Sequence, residues 1–193
     1  QIALPSAQQV QLTTQHRMVA PIGNLISRVF YDNTLKSVRN STCPILSQVF
    51  RKPVTWFSTS KLKTRGERNA GASFLNLTEA QEILKVIERI EFYANALKSG
   101  SKGSKIAEKV TIAILSGYAA QTEHIDNLLE QKRRRWQYVE VTCNTVDAFQ
   151  GREADLAIFS VTRSNLQRRA GFLQSRERIN VALSRGRNGL CIV

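Results

Sequence analysis

The chain has 193 residues, of which 42% are hydrophobic, and this is enough apolar material for the core of one domain. Its 28 Lys and Arg against 15 Asp and Glu give a formal net charge of +13. This charge favours a polyanionic partner, although a solvated basic surface is an equally open interpretation. No apolar run of about 18 residues and no charged-then-apolar leader occurs, so we expect neither a membrane span nor secretion.

The three cysteines are widely spaced, without a CxxC or a nearby pair of histidines that would make a zinc site. Reduced thiols in an intracellular protein, of the nucleus or the cytoplasm, fit this pattern better. The abrupt start and the apolar, strand-like last residues suggest a piece of a longer chain.

The N-terminal part predicts a strand, a helix and a second strand. Residues 10–13 form the first predicted strand, and apolar residues recur at helical spacing after Pro21, which suits a first helical turn. Residues 32–53 lack clear periodicity, and residues 54–57 predict the second strand.

A long helix is predicted next. Thr78 and Gln81 form a capping box at its start, and we expect it to end before a flexible, basic loop at residues 99–104. Residues 110–115 are almost wholly apolar and β-branched, as in a central parallel strand covered on both faces.

A helix with an apolar stripe follows and closes in four consecutive cations, residues 132–135. We interpret these cations as a solvated helix end, where positive charge suits the helix dipole, with nucleic-acid contact as the alternative. The later predicted elements are strands at 139–141 and 156–161, a helix at 177–183 and a strand at 190–193. This alternation predicts a single α/β domain with a parallel sheet and helices on both faces.

A phosphate-binding loop of the P-loop type is not expected. Residues 66–73 copy its spacing, but Ala72 stands where the lysine is required, and the preceding segment is too polar for a buried strand. No Asp-Glu pair follows an apolar strand either, so the metal-holding element is missing from the sequence. ATP hydrolysis therefore cannot be completed within this chain alone.

Two polar segments stand next to predicted core elements. The first is TVDAFQGREAD, residues 145–155, which runs directly into a buried strand. The second is RINVALSRGR, residues 178–187, which forms a basic helix followed by a loop. Polar residues packed against a core strand indicate a functional site.

These segments resemble motifs V and VI of superfamily 1 helicases, in the branch typified by the nonsense-mediated-decay helicase and senataxin. The segment TQHRM, residues 14–18, resembles motif IV of the same branch, which usually has Tyr where this chain has His16. The resemblance covers nearly the whole chain, residues 12–193, with the motifs in family order. It implies that residues 1–193 form the second, C-terminal RecA-like domain of a longer helicase.

The resemblance implies roles in ATP hydrolysis for several residues. Arg17 and Arg185 match the two arginines that reach the γ-phosphate, a task that suits a planar, permanently charged guanidinium. Arg187 is expected either to orient Arg185 or to hold the partner domain. The alternative for Arg17 and for Arg185 is a surface salt bridge.

The same resemblance extends to the nucleotide's sugar and base. Glu153 matches the acid that accepts hydrogen bonds from the ribose hydroxyls, and Gly151 permits close backbone approach. Gln150 is placed to link the nucleotide to the strand-binding side. His16 stands where a tyrosine usually stacks near the adenine, and its smaller ring puts that contact in question.

Four residues are expected to contact nucleic acid. Ser116, Tyr118 and Gln121 resemble the family's Thr-Pro-Tyr-x-x-Gln element, with Gly117 in place of Pro, at the carboxyl end of a buried strand. The hydroxyls of Ser116 and Thr145 would bind backbone phosphates, with helix capping as the alternative. None of these contacts would read base edges.

We therefore expect ATP with Mg²⁺ to bind between an absent first RecA-like domain and this one, with single-stranded RNA or DNA as the further partner. The alternative is a non-catalytic single-strand-binding module descended from such a helicase, in which intact arginines at both positions would have no purpose. A self-contained nucleotide enzyme is excluded by the missing lysine.

Overall fold

The computed structural model of the chain describes residues 12–100 and 109–193. The helices are Ala20–Phe30 (α1), Pro44–Val49 (α2), Leu77–Gly100 (α3), Ala119–Arg133 (α4) and Arg176–Leu183 (α5). The strands are Thr14–Val19 (β1), Lys36–Arg39 (β2), Val54–Trp56 (β3), Arg68–Ala70 (β4), Ser73–Leu75 (β5), Val110–Ser116 (β6), Val139–Thr145 (β7), Ala154–Ser160 (β8) and Gly186–Ile192 (β9).

The centre of the fold is a five-stranded sheet in the order β3-β9-β8-β6-β7, with every neighbouring pair parallel. The central strands β6 and β8 are almost wholly buried, because helices cover both of their faces. One apolar core packs α2, α3 and α4 against the sheet, and the other packs α1 and α5 against its opposite face. The predicted α/β, RecA-like fold is thus confirmed.

Parallel pairing gives the sheet two chemically distinct edges. Ser116 in β6 is in register with Thr145 in β7 and with Ser160 in β8, so the strands end together at the carboxyl edge. Ala154 in β8 is in register with Gly186 in β9 at the amino edge. Seven residues of strand separate the two edges by about 20 Å.

Several predicted elements differ from those observed. The first strand begins at Thr14, two residues beyond Leu12; residues 10 and 11 lie outside the described residues. Residues 32–53, which lack periodicity, contain the short elements β2 and α2, each too brief to establish a repeat. The helix predicted to end before residue 99 continues to Gly100, and residues 101–104 of the predicted loop lie outside the described residues.

The predicted capping box of α3 is wrong. Asn76 caps the helix instead, since its Oδ1 accepts a hydrogen bond from the Glu79 backbone N–H at 3.2 Å. The hydroxyl of Thr78 donates to the backbone carbonyl of Thr64 at 2.7 Å, outside the helix. The pattern placed the cap two residues late because Asn and Thr are both good capping residues.

The P-loop-like spacing at residues 66–73 belongs to a β-hairpin. Strands β4 and β5 pair in antiparallel register, and Gly71 turns between them with a positive φ of 64°. A P-loop connects a strand to a helix, so this hairpin confirms that the spacing is coincidental. Among the described residues, no helix is long and apolar enough to cross a membrane.

Candidate functional site

A cluster of charged side chains from three segments forms at the amino edge of the sheet. Arg17 comes from β1, Glu153 precedes β8, and Arg185 and Arg187 flank the start of β9. The Arg17 Nε donates to the Glu153 carboxylate at 2.7 Å, and Arg187 lies 3.6 Å from the other oxygen of the same carboxylate. The fold therefore brings together residues that are up to 170 positions apart in the sequence.

Arg185 is held against the end of α5 and the loop before β8. Its guanidinium donates to the carbonyl of Val181 at 2.8 Å, to the Ser184 hydroxyl at 2.9 Å and to the carbonyl of Arg152 at 3.4 Å. Burial, followed by the positive charge of Arg17, lowers the pKa of Arg185, which marks Arg17 as a close like-charged neighbour. Two guanidinium groups held near each other have the charge and the planar donors that suit a multiply charged anion.

Arg187 has a second partner that the sequence analysis missed. Its guanidinium donates to the Asp155 carboxylate at 2.8 Å, and the same carboxylate accepts from Asn188 and from the backbone and hydroxyl of Thr111. Asp155 belongs to the quoted motif V segment, yet its pattern alone carried no signal for this contact. Asp155 thereby fixes the start of β8 and the position of the Arg187 side chain.

The other predicted nucleotide residues lie near the cluster. Gln150 and Gly151 are exposed on the turn before β8, and Gly151 has a positive φ of 83°, a conformation that favours glycine. His16 is exposed and precedes Arg17 in β1, so the two side chains project to opposite sides of the strand. Contacts of these three residues with a nucleotide remain predictions.

Residues 146–153 connect the two edges of the sheet. The segment leaves β7 after Thr145 at the carboxyl edge and enters β8 at Ala154 at the amino edge. Its Asp147 carboxylate accepts a hydrogen bond from the Arg178 Nε at 3.0 Å, which joins this segment to α5. The guanidinium of Arg178 holds the pKa of that carboxyl below its usual value. Motifs V and VI are therefore physically linked.

At the carboxyl edge, Ser116 and Gln121 are fully buried. The Ser116 hydroxyl lies 2.8 Å from the Thr162 hydroxyl. The Gln121 amide accepts from the Asn76 backbone N–H at 2.6 Å and donates to the Ser160 hydroxyl at 2.9 Å. These internal hydrogen bonds give both side chains a positioning role in the structure, and their contact with nucleic acid remains a prediction.

Tyr118 and Thr145 are partly exposed at the same edge. The Tyr118 hydroxyl accepts from the Phe172 backbone N–H at 2.9 Å, and its ring packs edge-on against Phe74 with centroids 5.6 Å apart. The Thr145 hydroxyl accepts weakly, at 3.4 Å, from the backbone N–H of Ala148. Thr145 thus caps a turn, whereas its alternative role was helix capping, and its contact with nucleic acid remains a prediction.

A buried carboxylate, which the sequence analysis missed, organises this edge. The Glu79 side chain accepts from the Ser160 hydroxyl at 2.7 Å, the Thr162 backbone N–H at 2.8 Å and the Asn76 amide at 3.1 Å. Burial raises the pKa of Glu79 to about 7, against the opposing effect of the hydrogen bonds from the Ser160 hydroxyl and the Thr162 backbone. Its position within an amphipathic helix gave no sign of this role.

The four cations at residues 132–135 lie at the end of α4, away from the carboxyl edge where α4 begins. Lys132 pairs with Glu88, and Arg133 pairs with Asp126 at 2.6 Å, whereas Arg134 and Arg135 are exposed. This placement agrees with the preferred interpretation of a solvated helix end.

Comparisons with known proteins agree over nearly the whole chain. The profile of the AAA domain family matches residues 2–193. The chain is 31% identical over 190 residues to a regulator of nonsense transcripts 1 homolog from Neurospora crassa, covering 95% of this chain and 16% of that protein. It is 34% identical over 186 residues to the helicase required for RNAi-mediated heterochromatin assembly 1 from Schizosaccharomyces pombe, covering 94% of this chain and 16% of that protein.

The ATP-dependent helicase NAM7 of Saccharomyces cerevisiae is 28% identical over 190 residues, covering 95% of this chain and 18% of that protein. The chain therefore spans less than a fifth of the length of these three relatives. Together with the motifs and the parallel sheet, the matches confirm the predicted resemblance. The chain belongs to the AAA domain family, and within it to the superfamily 1 helicases of the nonsense-mediated-decay branch.

Proposed function

We propose that this chain is the second RecA-like domain of an ATP-dependent helicase that acts on single-stranded RNA or DNA. One observation carries the proposal: Arg17, Arg185 and Arg187 converge around Glu153 at one edge of the sheet. An intramolecular ATP site would also need a phosphate loop, and residues 66–73 form a hairpin instead. The arginine cluster is therefore suited to complete a site whose other half lies in another domain.

In this account, Arg17 and Arg185 bind the phosphates of ATP once the two domains close. Each guanidinium offers several donors in one plane and neutralises charge that develops on the transferred phosphoryl group. Glu153, which now pairs with Arg17 and Arg187, occupies the anionic position between them. Exchange of this carboxylate for phosphate leaves Glu153 free to accept hydrogen bonds from the ribose.

ATP supplies the phosphoanhydride bond whose cleavage drives the cycle. Among the described residues, no three metal-ligating side chains come together, and both carboxylates nearest the cluster are paired with arginine. We infer that Mg²⁺ is held mainly by the partner domain.

Nucleic acid is assigned to the carboxyl edge, about 20 Å away, where Tyr118 and Thr145 are partly exposed. Residues 146–153 span the distance between the two edges, and Gln150 lies within them. Movement of the arginine cluster upon domain closure would be transmitted along this segment to the strand-binding edge. A non-catalytic binding module would need no such arginine cluster, which favours the motor.

The test is ATP turnover by the full-length protein with and without a single-stranded oligonucleotide. We expect turnover that the strand stimulates and that Arg185→Ala reduces on the order of a thousandfold in a folded protein. Strand binding without any ATP turnover would instead support the non-catalytic module.

A further inference from the structure

The loop after β8 ends in an exposed tip that combines an apolar side chain with two cations. Leu166 at the tip is 94% exposed, and the neighbouring Arg168 and Arg169 are also exposed. Residues 161–176 contain four arginines and no acidic residue. An apolar side chain beside two cations matches the chemistry of a nucleic-acid strand, which offers base faces and phosphates.

The base of this loop is fixed by buried hydrogen bonds. Thr162 is fully buried with a positive φ of 67°, a conformation that is costly for a β-branched residue. Its backbone N–H donates to the Glu79 carboxylate at 2.8 Å, and its hydroxyl lies 2.8 Å from that of Ser116. These contacts hold the chain in a direction that it would not take on its own.

A second carboxylate fixes the stem of the loop. Glu67 accepts from the Ser164 backbone N–H at 2.7 Å and from the Asn165 amide at 3.0 Å, and it pairs with Arg163 at 3.1 Å. The Arg163 side chain is 8% exposed and its guanidinium lies 4.0 Å from the ring centre of Phe74. The hairpin formed by β4 and β5 thereby supports the loop from one side.

The tip itself is closed by a single side chain. The Asn165 Oδ1 accepts from the Arg169 backbone N–H at 2.8 Å, and its Nδ2 donates to the Arg169 carbonyl at 3.0 Å. Arg168 within the turn has a positive φ of 55°. A loop that is ordered before binding loses little conformational entropy when a ligand arrives, which favours affinity.

The loop also lies where the strand is expected. It leaves β8 beyond Ser160, which is in register with Ser116 of β6, and Ser116 is in register with Thr145 of β7. Resting on the proposed function, we propose that residues 165–169 form a further nucleic-acid contact. Arg168 and Arg169 bind backbone phosphates, and Leu166 packs against an unstacked base. Glu67, Glu79 and Asn165 are positioning residues for this loop.

The experiment compares two double variants of the full-length protein, Arg168→Ala/Arg169→Ala and Arg134→Ala/Arg135→Ala. Each removes two exposed charges, but the second pair lies at the end of α4, away from the carboxyl edge. The probe is labelled oligouridylate, with labelled oligothymidylate as a second arm, titrated at about 50 mM and about 200 mM salt.

We expect the loop variant to bind the strand about tenfold more weakly at the lower salt. Its slope of log affinity against log salt should fall by about 1.4 in magnitude, since each single-strand phosphate contact contributes about 0.7. The control variant should keep the wild-type slope. The loop proposal alone would be overturned if the loop variant kept the wild-type salt slope. It would also be overturned if the control variant lost as much strand affinity as the loop variant.

Asn165→Ala separates positioning from charge. It opens the tip without removing a cation, so we expect severalfold weaker binding with an unchanged salt slope and an unchanged melting temperature. Unchanged affinity would show that the tip needs no ordering and would overturn the positioning role. If the wild-type protein binds neither oligonucleotide, both the proposed function and the loop proposal fail. If the wild type binds but the loop variant binds equally well, only the loop proposal fails.

Discussion

The two edges of the sheet use charge in opposite ways. At the amino edge, the side chains of Arg17, Glu153 and Arg187 are 33%, 41% and 32% exposed, and their ion pairs face solvent. Such pairs contribute only about 0–1 kcal/mol each, so their partners exchange readily. At the carboxyl edge, Glu79 and Thr162 are buried and fully engaged in hydrogen bonds. One edge is therefore built to change partners and the other to keep its shape.

This contrast fits a motor domain that takes up phosphate at one edge and carries a rigid strand-binding surface at the other. A cation that must meet ATP and release its products cannot be locked into a buried salt bridge. A surface that holds a strand through each cycle binds it more tightly if the surface is already ordered before binding.

The largest effect is expected at Arg185. Arg185→Ala in the full-length protein should reduce kcat on the order of a thousandfold, because an arginine that meets the transferred phosphoryl group acts mainly in the transition state. Arg185→Lys should restore little, since a point charge does not reproduce the planar donor set. The measurement is strand-stimulated ATP turnover, with Arg134→Ala as the matched control at an exposed arginine.

Arg17 tests whether the amino edge acts as one unit. Arg17→Ala should slow turnover on the order of a hundredfold, as for loss of one transition-state donor. The variant that lacks both Arg17 and Arg185 should lose less than the product of the two single losses. Fully multiplicative losses would indicate two independent sites and would contradict a shared phosphate contact.

The affinity of the 193-residue chain alone for a single strand should depend steeply on salt. If about four phosphates are contacted, affinity for a single strand should fall about fiftyfold between about 50 mM and about 200 mM salt. The same preparation should release no phosphate from ATP, because residues 66–73 form a hairpin rather than a phosphate loop. Tight binding that ignores salt, or turnover above the blank, would count against the domain assignment.

The smallest effect concerns stability and the pKa of Glu79. Burial raises this pKa from its usual value of 4.5 to about 7. The folded state consequently holds more protons than the unfolded chain between these values, so the free energy of unfolding should fall as pH rises through this window. Glu79→Gln should remove this slope, seen as a melting-temperature difference of a few degrees between the two ends of the window.

Glu82→Gln on the same helix is the matched control, because Glu82 pairs with the exposed Lys85 on the helix surface. It should keep the wild-type dependence on pH. A Glu79→Gln protein whose melting temperature still falls between pH 4.5 and 7, as in the wild type, would show that another group titrates there.

The sequence predicted the parallel sheet because segments such as residues 110–115 are almost wholly apolar and β-branched and alternate with helical patterns. The family resemblance singled out Arg17, Arg185 and Glu153, and the fold brings these three side chains together, while their roles toward ATP remain predictions. The sequence did not predict that Ser116 and Gln121 would be buried, since strand and helix patterns do not state which polar side chains meet inside the fold.

Long-range partners explain the remaining differences. Glu79 and Thr162 are 83 residues apart, and their hydrogen bond depends on how α3 packs beside the end of β8. The cap at Asn76 was mistaken because several good capping residues stand side by side. Asp155 was visible in motif V, but its contacts with Thr111, Arg187 and Asn188 exist only after three strands assemble.

The measurement that tests the central claim most directly is made on full-length Arg185→Ala, with turnover, strand affinity and melting temperature determined on one preparation. If the amino edge contacts ATP and the carboxyl edge contacts the strand, kcat should fall on the order of a thousandfold while strand affinity and melting temperature stay near those of the wild type. A folded variant that keeps its turnover, or one that loses strand affinity as strongly as turnover, would contradict the assignment of separate ligands to the two edges.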